Sequence, residues 1–147
     1  MGLREDLGPG RTALDTAPFI YYIEEHPAFL PLVAPVFEEA AAGRRELVTS
    51  TLTLLEVLVV PIRAGHRELA ERYEACLARS RGLRLVDLDR LLLRTAAQLR
   101  ALHPSLRTPD ALQLGAALSA GCSSFVTNDR DLPAIPGLRV LKLKSYL

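Results

Sequence analysis

The hydrophobic pattern of the chain alternates between short apolar runs and longer stretches in which apolar residues recur every three to four positions. Short apolar runs that end in polar residues are typical of buried strands, and the longer periodic stretches are typical of helices. The predicted strands are residues 13–14, 46–49, 83–86, 124–127 and 138–143. Strands that alternate with helices require crossover connections, so the sequence predicts an α/β fold with a parallel sheet and helices on both faces.

Start and stop signals bound the predicted helices. They cover residues 18–23, 26–43, 51–64, 66–80, about 88–102 and about 109–120. Ser50 or Thr51 can cap the third helix through a hydroxyl oxygen. Thr108 is placed to cap the last one, with Pro109 at its first position and Gly121 after its end.

Composition indicates the size of the domain and the compartment in which we expect the protein. With 147 residues, 49% of them hydrophobic and 24% charged, the chain has the length of one domain and can bury a core. Glycines, a proline and charges in residues 1–10 predict a flexible N-terminal tail, which leaves 11–147 as the single domain. No apolar run resembles a signal peptide or reaches the roughly 18 residues of a membrane span, so we expect a cytoplasmic protein without membrane association. Cys76 and Cys122 lack CxxC spacing and predict buried free thiols.

Acidic residues recur where predicted strands end or helices begin. Asp15 and Asp129 follow strands, and Asp110 opens the last helix. Ligands of parallel sheets bind beyond the carboxyl ends of the strands, so these acids can reach one rim. The alternative for Asp110 is structural, because a carboxylate on the first turn stabilises a helix by roughly 0.3 to 1 kcal/mol.

A fourth acid, Glu56, falls on an apolar helical stripe in residues 51–64. We predict that this stripe faces the core and that it consists of Leu52, Leu55, Val59 and Val60. A buried carboxylate without a partner costs several kcal/mol or becomes neutral, so it requires a cation, a metal or several hydrogen bonds. A structural salt bridge to an arginine is the alternative to a site.

Four carboxylates crowded at one rim raise one another's pKa values, and a hard divalent cation such as Mg²⁺ or Mn²⁺ relieves that conflict. Such an ion can activate water for attack on a phosphodiester. The net charge of +1 is uninformative, but setting aside the four acids and Asp131 leaves 12 acids against 18 bases, which suits a polyanionic substrate.

Other catalytic schemes find little support in the sequence. His26, His66 and His103 are isolated and lack metal-ligand spacing, which is typical of surface or helix-boundary residues. There is no Gly-Lys-Thr phosphate loop and no Gly-x-Ser-x-Gly elbow. Metal-assisted phosphodiester hydrolysis is therefore the chemistry that the acids favour.

Four segments in this order resemble the motifs of PIN-domain nucleases, in particular the VapC-like toxins of VapBC toxin–antitoxin modules. They are Ala13-Leu14-Asp15-Thr16, Ser50-Thr51-Leu52-Thr53-Leu54-Leu55-Glu56-Val57, Thr108-Pro109-Asp110-Ala111-Leu112-Gln113-Leu114 and Val126-Thr127-Asn128-Asp129-Arg130-Asp131-Leu132. The resemblance covers nearly all of residues 11–147. Ala17 departs from the family pattern, in which a serine is common at this position.

The resemblance implies a PIN-like three-layer α/β/α fold with a central parallel sheet of about five strands. It also implies a Mg²⁺- or Mn²⁺-dependent ribonuclease, a homodimer and a cognate antitoxin protein. By the same resemblance the catalytic and metal-binding acids are Asp15, Glu56, Asp110 and Asp129, with Asp131, Thr16 and Thr127 as auxiliary residues. Thr16 and Thr127 would orient the carboxylates through their hydroxyls.

Two other interpretations remain open at the level of sequence. One is a PIN nuclease that processes RNA without an antitoxin. The other is a non-catalytic RNA-binding or interaction module, in which the acids form structural salt bridges to the many arginines. The non-catalytic module and the nuclease differ in what neutralising an acid does to stability. In the module it breaks a buried ion pair, which costs roughly 3 to 5 kcal/mol.

Overall fold

The computed structural model describes residues 2–147. Its strands are β1 (Thr12–Leu14), β2 (Leu47–Ser50), β3 (Leu83–Val86), β4 (Ser124–Thr127) and β5 (Arg139–Lys142). Its helices are α1 (Leu3–Leu7), α2 (Thr16–Ile23), α3 (Leu30–Ala41), α4 (Thr51–Ala64), α5 (Arg67–Arg79), α6 (Arg90–Leu102) and α7 (Thr108–Ser119), followed by a short 3-10 helix (Leu143–Tyr146).

The five strands form one parallel sheet in the order β3-β2-β1-β4-β5. In the register of the central strands, Ala13 of β1 lies opposite Val48 of β2 on one side and Phe125 of β4 on the other. The predicted parallel sheet is therefore confirmed. Because all strands run the same way, the ends of β1, β2 and β4 meet at one rim.

Alternating side chains on the central strands build two cores. Leu14, Leu47 and Val126 are buried in a cluster with residues of α1 to α5. The neighbouring positions point the other way, because successive strand residues face opposite sides, and they pack with α6 and α7. The result is the predicted three-layer α/β/α arrangement.

The N-terminal segment is a packed helix, where the sequence predicts a flexible tail. Met1 lies outside the described residues, but Leu3 and Leu7 of α1 are 4% and 0% exposed and belong to the core. These leucines are one helical turn apart, so they share a face. Arg139 also donates a hydrogen bond to the Leu7 carbonyl, which ties α1 to β5.

The predicted core-facing stripe of α4 is wrong. Leu55, Val59 and Val60 are 60%, 41% and 67% exposed, and the buried side of the helix instead carries Thr53, Val57 and Pro61. Ser50 caps this helix as predicted. Apolar residues lie almost all around α4, so periodicity alone could not decide which side packs against α2 and α5.

Two further expectations concern thiols and membranes. Cys76 and Cys122 are free, Cys122 is buried, and burial raises the pKa of the Cys122 thiol to about 11. Within residues 2–147, no helix combines the length and apolar character that crossing a bilayer requires.

Candidate functional site

An open cavity of about 440 Å³ lies at the rim where β1, β2 and β4 end. All four predicted acids line it: Asp15, Glu56, Asp110 and Asp129. Its other polar lining side chains are Thr16, Arg107, Gln113 and Asn128. The structure thus brings together acids that are up to 114 positions apart in the sequence.

Asp15 joins the end of β1 to the start of α2. It is the N-cap of α2, and its carboxylate accepts a hydrogen bond from the Thr16 backbone N–H at 2.8 Å. The other carboxylate oxygen accepts a hydrogen bond from the Thr127 hydroxyl, also at 2.8 Å. Both auxiliary threonines named from the resemblance therefore contact this acid.

Thr127 also connects Asp15 to the next acid along the rim. Its hydroxyl oxygen accepts a hydrogen bond from the Asp129 backbone N–H at 3.0 Å. The backbone N–H of Asp131 in turn donates to the Asp129 carboxylate at 2.9 Å. The Asp131 side chain is exposed and does not line the cavity, so it is not brought to the four acids.

Two of the acids are destabilised as anions. Burial raises the pKa of Asp15, and the charges of Glu56 and Asp129 raise it further, although hydrogen bonds from Thr127 and Thr16 oppose the shift. Burial likewise raises the pKa of Asp110, followed by the charge of Asp129. A positive charge placed among these groups would therefore be favourable.

Asp110 lies on the first turn of α7, which begins one residue earlier than predicted. Arg107 occupies the N-cap position without a capping side chain, and Thr108 is the first helical residue. The Thr108 hydroxyl oxygen instead accepts a hydrogen bond from Arg100 at 2.9 Å, so the predicted Thr108 cap is wrong. Gly121 follows the end of the helix with φ of +70°, as a helix terminator should.

Arg107 is the cation at the mouth of the cavity. Its Nε donates to Asp110 Oδ2 at 3.2 Å, and its Nη2 lies 3.7 Å from Asp129 Oδ2. The arginine side chain is 75% exposed, whereas the two carboxylate side chains are only 14% and 22% exposed. An exposed arginine of this kind contributes little to stability but balances part of the local negative charge.

Glu56 lies at the surface of the protein and faces the cavity. Its Oε1 accepts a hydrogen bond from the Thr16 hydroxyl at 2.5 Å. Among residues 2–147, Glu56 forms no ion pair with an arginine or lysine, so the alternative of a structural salt bridge is not observed. The side chain therefore meets the site from an exposed helix face and not from the core.

The donor chemistry of the cavity fits a hard divalent cation, because four carboxylates supply only oxygen ligands. In the side-chain positions described for residues 2–147, no three acidic, histidine or cysteine side chains are arranged as a complete ligand group. The threonine links hold Asp15 and Asp129 next to each other at the rim, and Asp110 and Glu56 complete the lining.

Three polar lining residues were not predicted from the sequence: Arg107, Gln113 and Asn128. Gln113 lies on α7 one turn after Asp110 and is 3% exposed. A polar residue among the apolar positions of a helix is a signal that could have identified it. His66 and His103 lie at helix boundaries, as expected, whereas His26 lies in the loop between α2 and α3. None of the three histidines lines the cavity.

Comparisons with known proteins agree with this architecture. The chain is similar to the crystal structure of VapBC2 from Rickettsia felis bound to a promoter DNA fragment, with 18% identity, a TM-score of 0.70, and 89% and 97% of the two chains covered. It is also similar to DNA-bound VapBC from Salmonella typhimurium, with 25% identity, a TM-score of 0.64, and 92% and 99% covered. VapBC-5 from Mycobacterium tuberculosis, of the VapBC family of toxin–antitoxin systems, gives 22% identity, a TM-score of 0.60, and 91% and 99% covered.

No curated protein matches the sequence. The family model of the PIN domain matches residues 12–138, which include strands β1 to β4 and all four acids and end just before β5. Because this match spans most of the sequence, the chain belongs to the PIN domain family.

Proposed function

We propose that the protein is a Mg²⁺- or Mn²⁺-dependent ribonuclease that hydrolyses RNA phosphodiester bonds. The observation that carries the proposal is the convergence of four carboxylates, from four separate parts of the chain, on one open cavity at the carboxyl rim of the sheet. Burial and mutual repulsion disfavour two of them as anions, and a divalent cation would relieve this.

In this mechanism Asp15, Asp110 and Asp129 would hold the ion through carboxylate oxygens. A bound ion of this type would lower the pKa of water and stabilise the charge that develops on the leaving oxygen. Thr127 keeps Asp15 and Asp129 in fixed orientations, because its one hydroxyl donates to the first and accepts from the backbone of the second. Glu56 uses Oε1 for its bond to Thr16, so its Oε2 would remain to contribute a fourth carboxylate ligand or to accept a proton from water.

The partner part of the proposal is a cognate antitoxin, with the protein acting as the toxin of a toxin–antitoxin pair and assembling as a homodimer. Its support is structural similarity to solved VapBC complexes and the exposure of large apolar side chains on α4 and α6. Co-expression with a small open reading frame found immediately upstream of its gene would test this. A stable complex that suppresses RNA cleavage is expected, and its absence would favour a PIN nuclease without an antitoxin.

Cleavage of structured RNA tests the enzymatic part. Purified protein and its Asp15→Asn variant are incubated with Mg²⁺, with Mn²⁺ and with EDTA, and the fragment ends are identified. We expect cleavage that requires both the ion and Asp15 and that leaves a 5′-phosphate and a 3′-hydroxyl. Equal cleavage by both proteins, or cleavage in EDTA, would contradict the carboxylate–metal mechanism.

A second candidate is a non-catalytic RNA-binding or interaction module. The contact that favours it is Arg107, which lies between Asp110 and Asp129 as a structural counter-ion would. Against it, neither Asp15 nor Glu56 forms an ion pair with any of the described residues. The unfolding experiments in the Discussion separate the two candidates.

A further inference from the structure

A chain of buried polar side chains runs beneath the cavity, and Gln113 is its centre. Gln113 is 3% exposed on α7, and its amide reaches residues of three other segments. The Ser50 hydroxyl donates to Gln113 Oε1 at 2.9 Å, and Gln113 Nε2 donates to the Thr53 hydroxyl oxygen at 2.9 Å. Nε2 also lies 3.4 Å from the Thr16 hydroxyl oxygen, so one amide contacts β2, α4 and α2.

The direction of every hydrogen bond in this chain follows from counting protons. The Thr49 hydroxyl gives its only proton to the Leu14 carbonyl at 2.9 Å. In the Thr49–Thr53 pair, at 2.7 Å, Thr53 must therefore be the donor. The Thr53 oxygen is then free to accept from Gln113, which fixes the amide with its nitrogen towards Thr53 and its oxygen towards Ser50.

The same reasoning extends to the acids. Because Gln113 offers its second N–H to the Thr16 oxygen, the single Thr16 hydroxyl proton is directed to Glu56 Oε1 at 2.5 Å. The chain of hydrogen bonds thus begins at the carbonyl of Leu14, the residue before Asp15, and ends on the Glu56 carboxylate. Thr49, Ser50, Thr53 and Gln113 are buried and fully hydrogen-bonded, so this part of the chain of hydrogen bonds has one rigid arrangement. From it the bonds extend to the half-buried Thr16 and the exposed Glu56.

We propose that Gln113 is a positioning residue, which orients the Thr16 hydroxyl so that Glu56 is held at the metal site. This inference rests on the proposed function, because it assumes that the four carboxylates bind a divalent ion. Glutamine suits the position since it supplies two donors and one acceptor without a charge, whereas a glutamate could not donate to both threonines. No other described side chain donates to the Thr16 hydroxyl.

The test is direct Mn²⁺ binding, measured by electron paramagnetic resonance on the full chain without RNA. Gln113→Met keeps the side-chain length but removes all three hydrogen bonds. We expect its Mn²⁺ affinity to fall by about 10-fold, the usual effect of losing a group that orients a metal ligand. Ser124→Ala is the matched control, because it removes a buried hydroxyl bond to Thr12 at the opposite end of β4.

A purely structural role would lower thermal stability in both variants and leave Mn²⁺ affinity unchanged, which would overturn the inference while the proposed function stands. A parent protein that binds no Mn²⁺ would overturn the proposed function and this inference with it. The Glu56→Gln background adds a second criterion. There Gln113→Met should cause little further loss of affinity, and a full additional loss would show that Gln113 does not act through Glu56.

Discussion

Asp15→Asn should leave the metal-free protein as stable as the parent or slightly more stable. Asp15 accepts two hydrogen bonds, from the Thr16 N–H and the Thr127 hydroxyl, and has no arginine or lysine partner among residues 2–147. Asparagine can keep the first bond through its oxygen and can donate to the Thr127 oxygen in place of the second. The substitution therefore removes a charge and preserves the local geometry.

The magnitude follows from two opposing effects. Replacing a charge-assisted bond by a neutral one costs about 1 kcal/mol. Removing the charge relieves burial and the repulsion from Glu56 and Asp129, and the raised pKa of Asp15 shows that these outweigh its hydrogen bonds. We expect a change in the free energy of unfolding between zero and about 1 kcal/mol in favour of the variant, or up to about 4 °C in Tm for a domain of this size.

The pH dependence of stability is a separate check on the sign of the change caused by Asp15→Asn. A raised folded-state pKa means that the native protein binds the proton more tightly than the unfolded chain, so Asp15 costs stability as pH rises through that pKa. The advantage of the variant should be complete above the raised pKa and should vanish below about pH 4, the ordinary range of an unfolded aspartate. Thermal and urea unfolding in EDTA at pH 7 and at about pH 3 measure this.

Glu39→Gln is the matched control, because Glu39 is a buried carboxylate with partners. It is 7% exposed and accepts hydrogen bonds from Arg4 and from Arg45. Burial raises the pKa of Glu39, but these arginines outweigh it and the pKa is lowered, so its stabilisation is lost as pH falls through that value. This variant should lose about 3 kcal/mol at pH 7. A comparable loss in Asp15→Asn would refute the reasoning and favour structural salt bridges.

Four further substitutions test three separate parts of the structure. Val57→Ala should cost about 1 to 2 kcal/mol in urea unfolding, whereas Val60→Ala should change stability by no more than about 0.5 kcal/mol, and the reverse order would restore the predicted stripe of α4. Arg107→Ala should raise the pKa of Asp110 in a carboxyl NMR titration, because the arginine lowers it, and an unchanged titration would show that the contact is absent in solution. Thr127→Val should cost about 1 to 2 kcal/mol and lower RNA cleavage at least 10-fold, and full activity would remove the proposed orienting role.

Much of the fold follows from local features of the sequence. Runs such as residues 124–127 are short, have apolar residues at their centre and are followed by turn residues, so strand type and order could be predicted. Crossover connections then require a parallel sheet. The same logic placed Asp15 and Asp129 at one rim, and the structure has them there. Backbone topology is therefore enough to place Asp15, Asp110 and Asp129 at one rim. The case for Glu56 differs, because it rests on the resemblance and on a helix stripe that the structure shows to be exposed.

The predictions that are wrong concern residues whose burial is decided by tertiary packing. On α4 nearly every position is apolar, so only contacts with α2 and α5 show that Val57 is buried and Val60 exposed. Leu3 and Leu7 lie among glycines and charged residues in the sequence. Their burial depends on packing against the core residues that other helices and strands contribute. For Gln113 the only signal in the sequence is a polar residue among apolar helix positions, which is weak. The directions of its hydrogen bonds depend on the positions of five neighbouring groups, which only the folded structure supplies.

Crystals soaked in Mn²⁺ show whether the four acids hold a divalent ion for hydrolysis. We expect an anomalous difference peak inside the cavity, with carboxylate oxygens of Asp15 and of at least one of Asp110 and Asp129 as ligands. Asp15→Asn crystals treated identically should lose the peak. A parent crystal with Mn²⁺ bound only elsewhere, from a preparation that still cleaves RNA, would refute the carboxylate–metal mechanism.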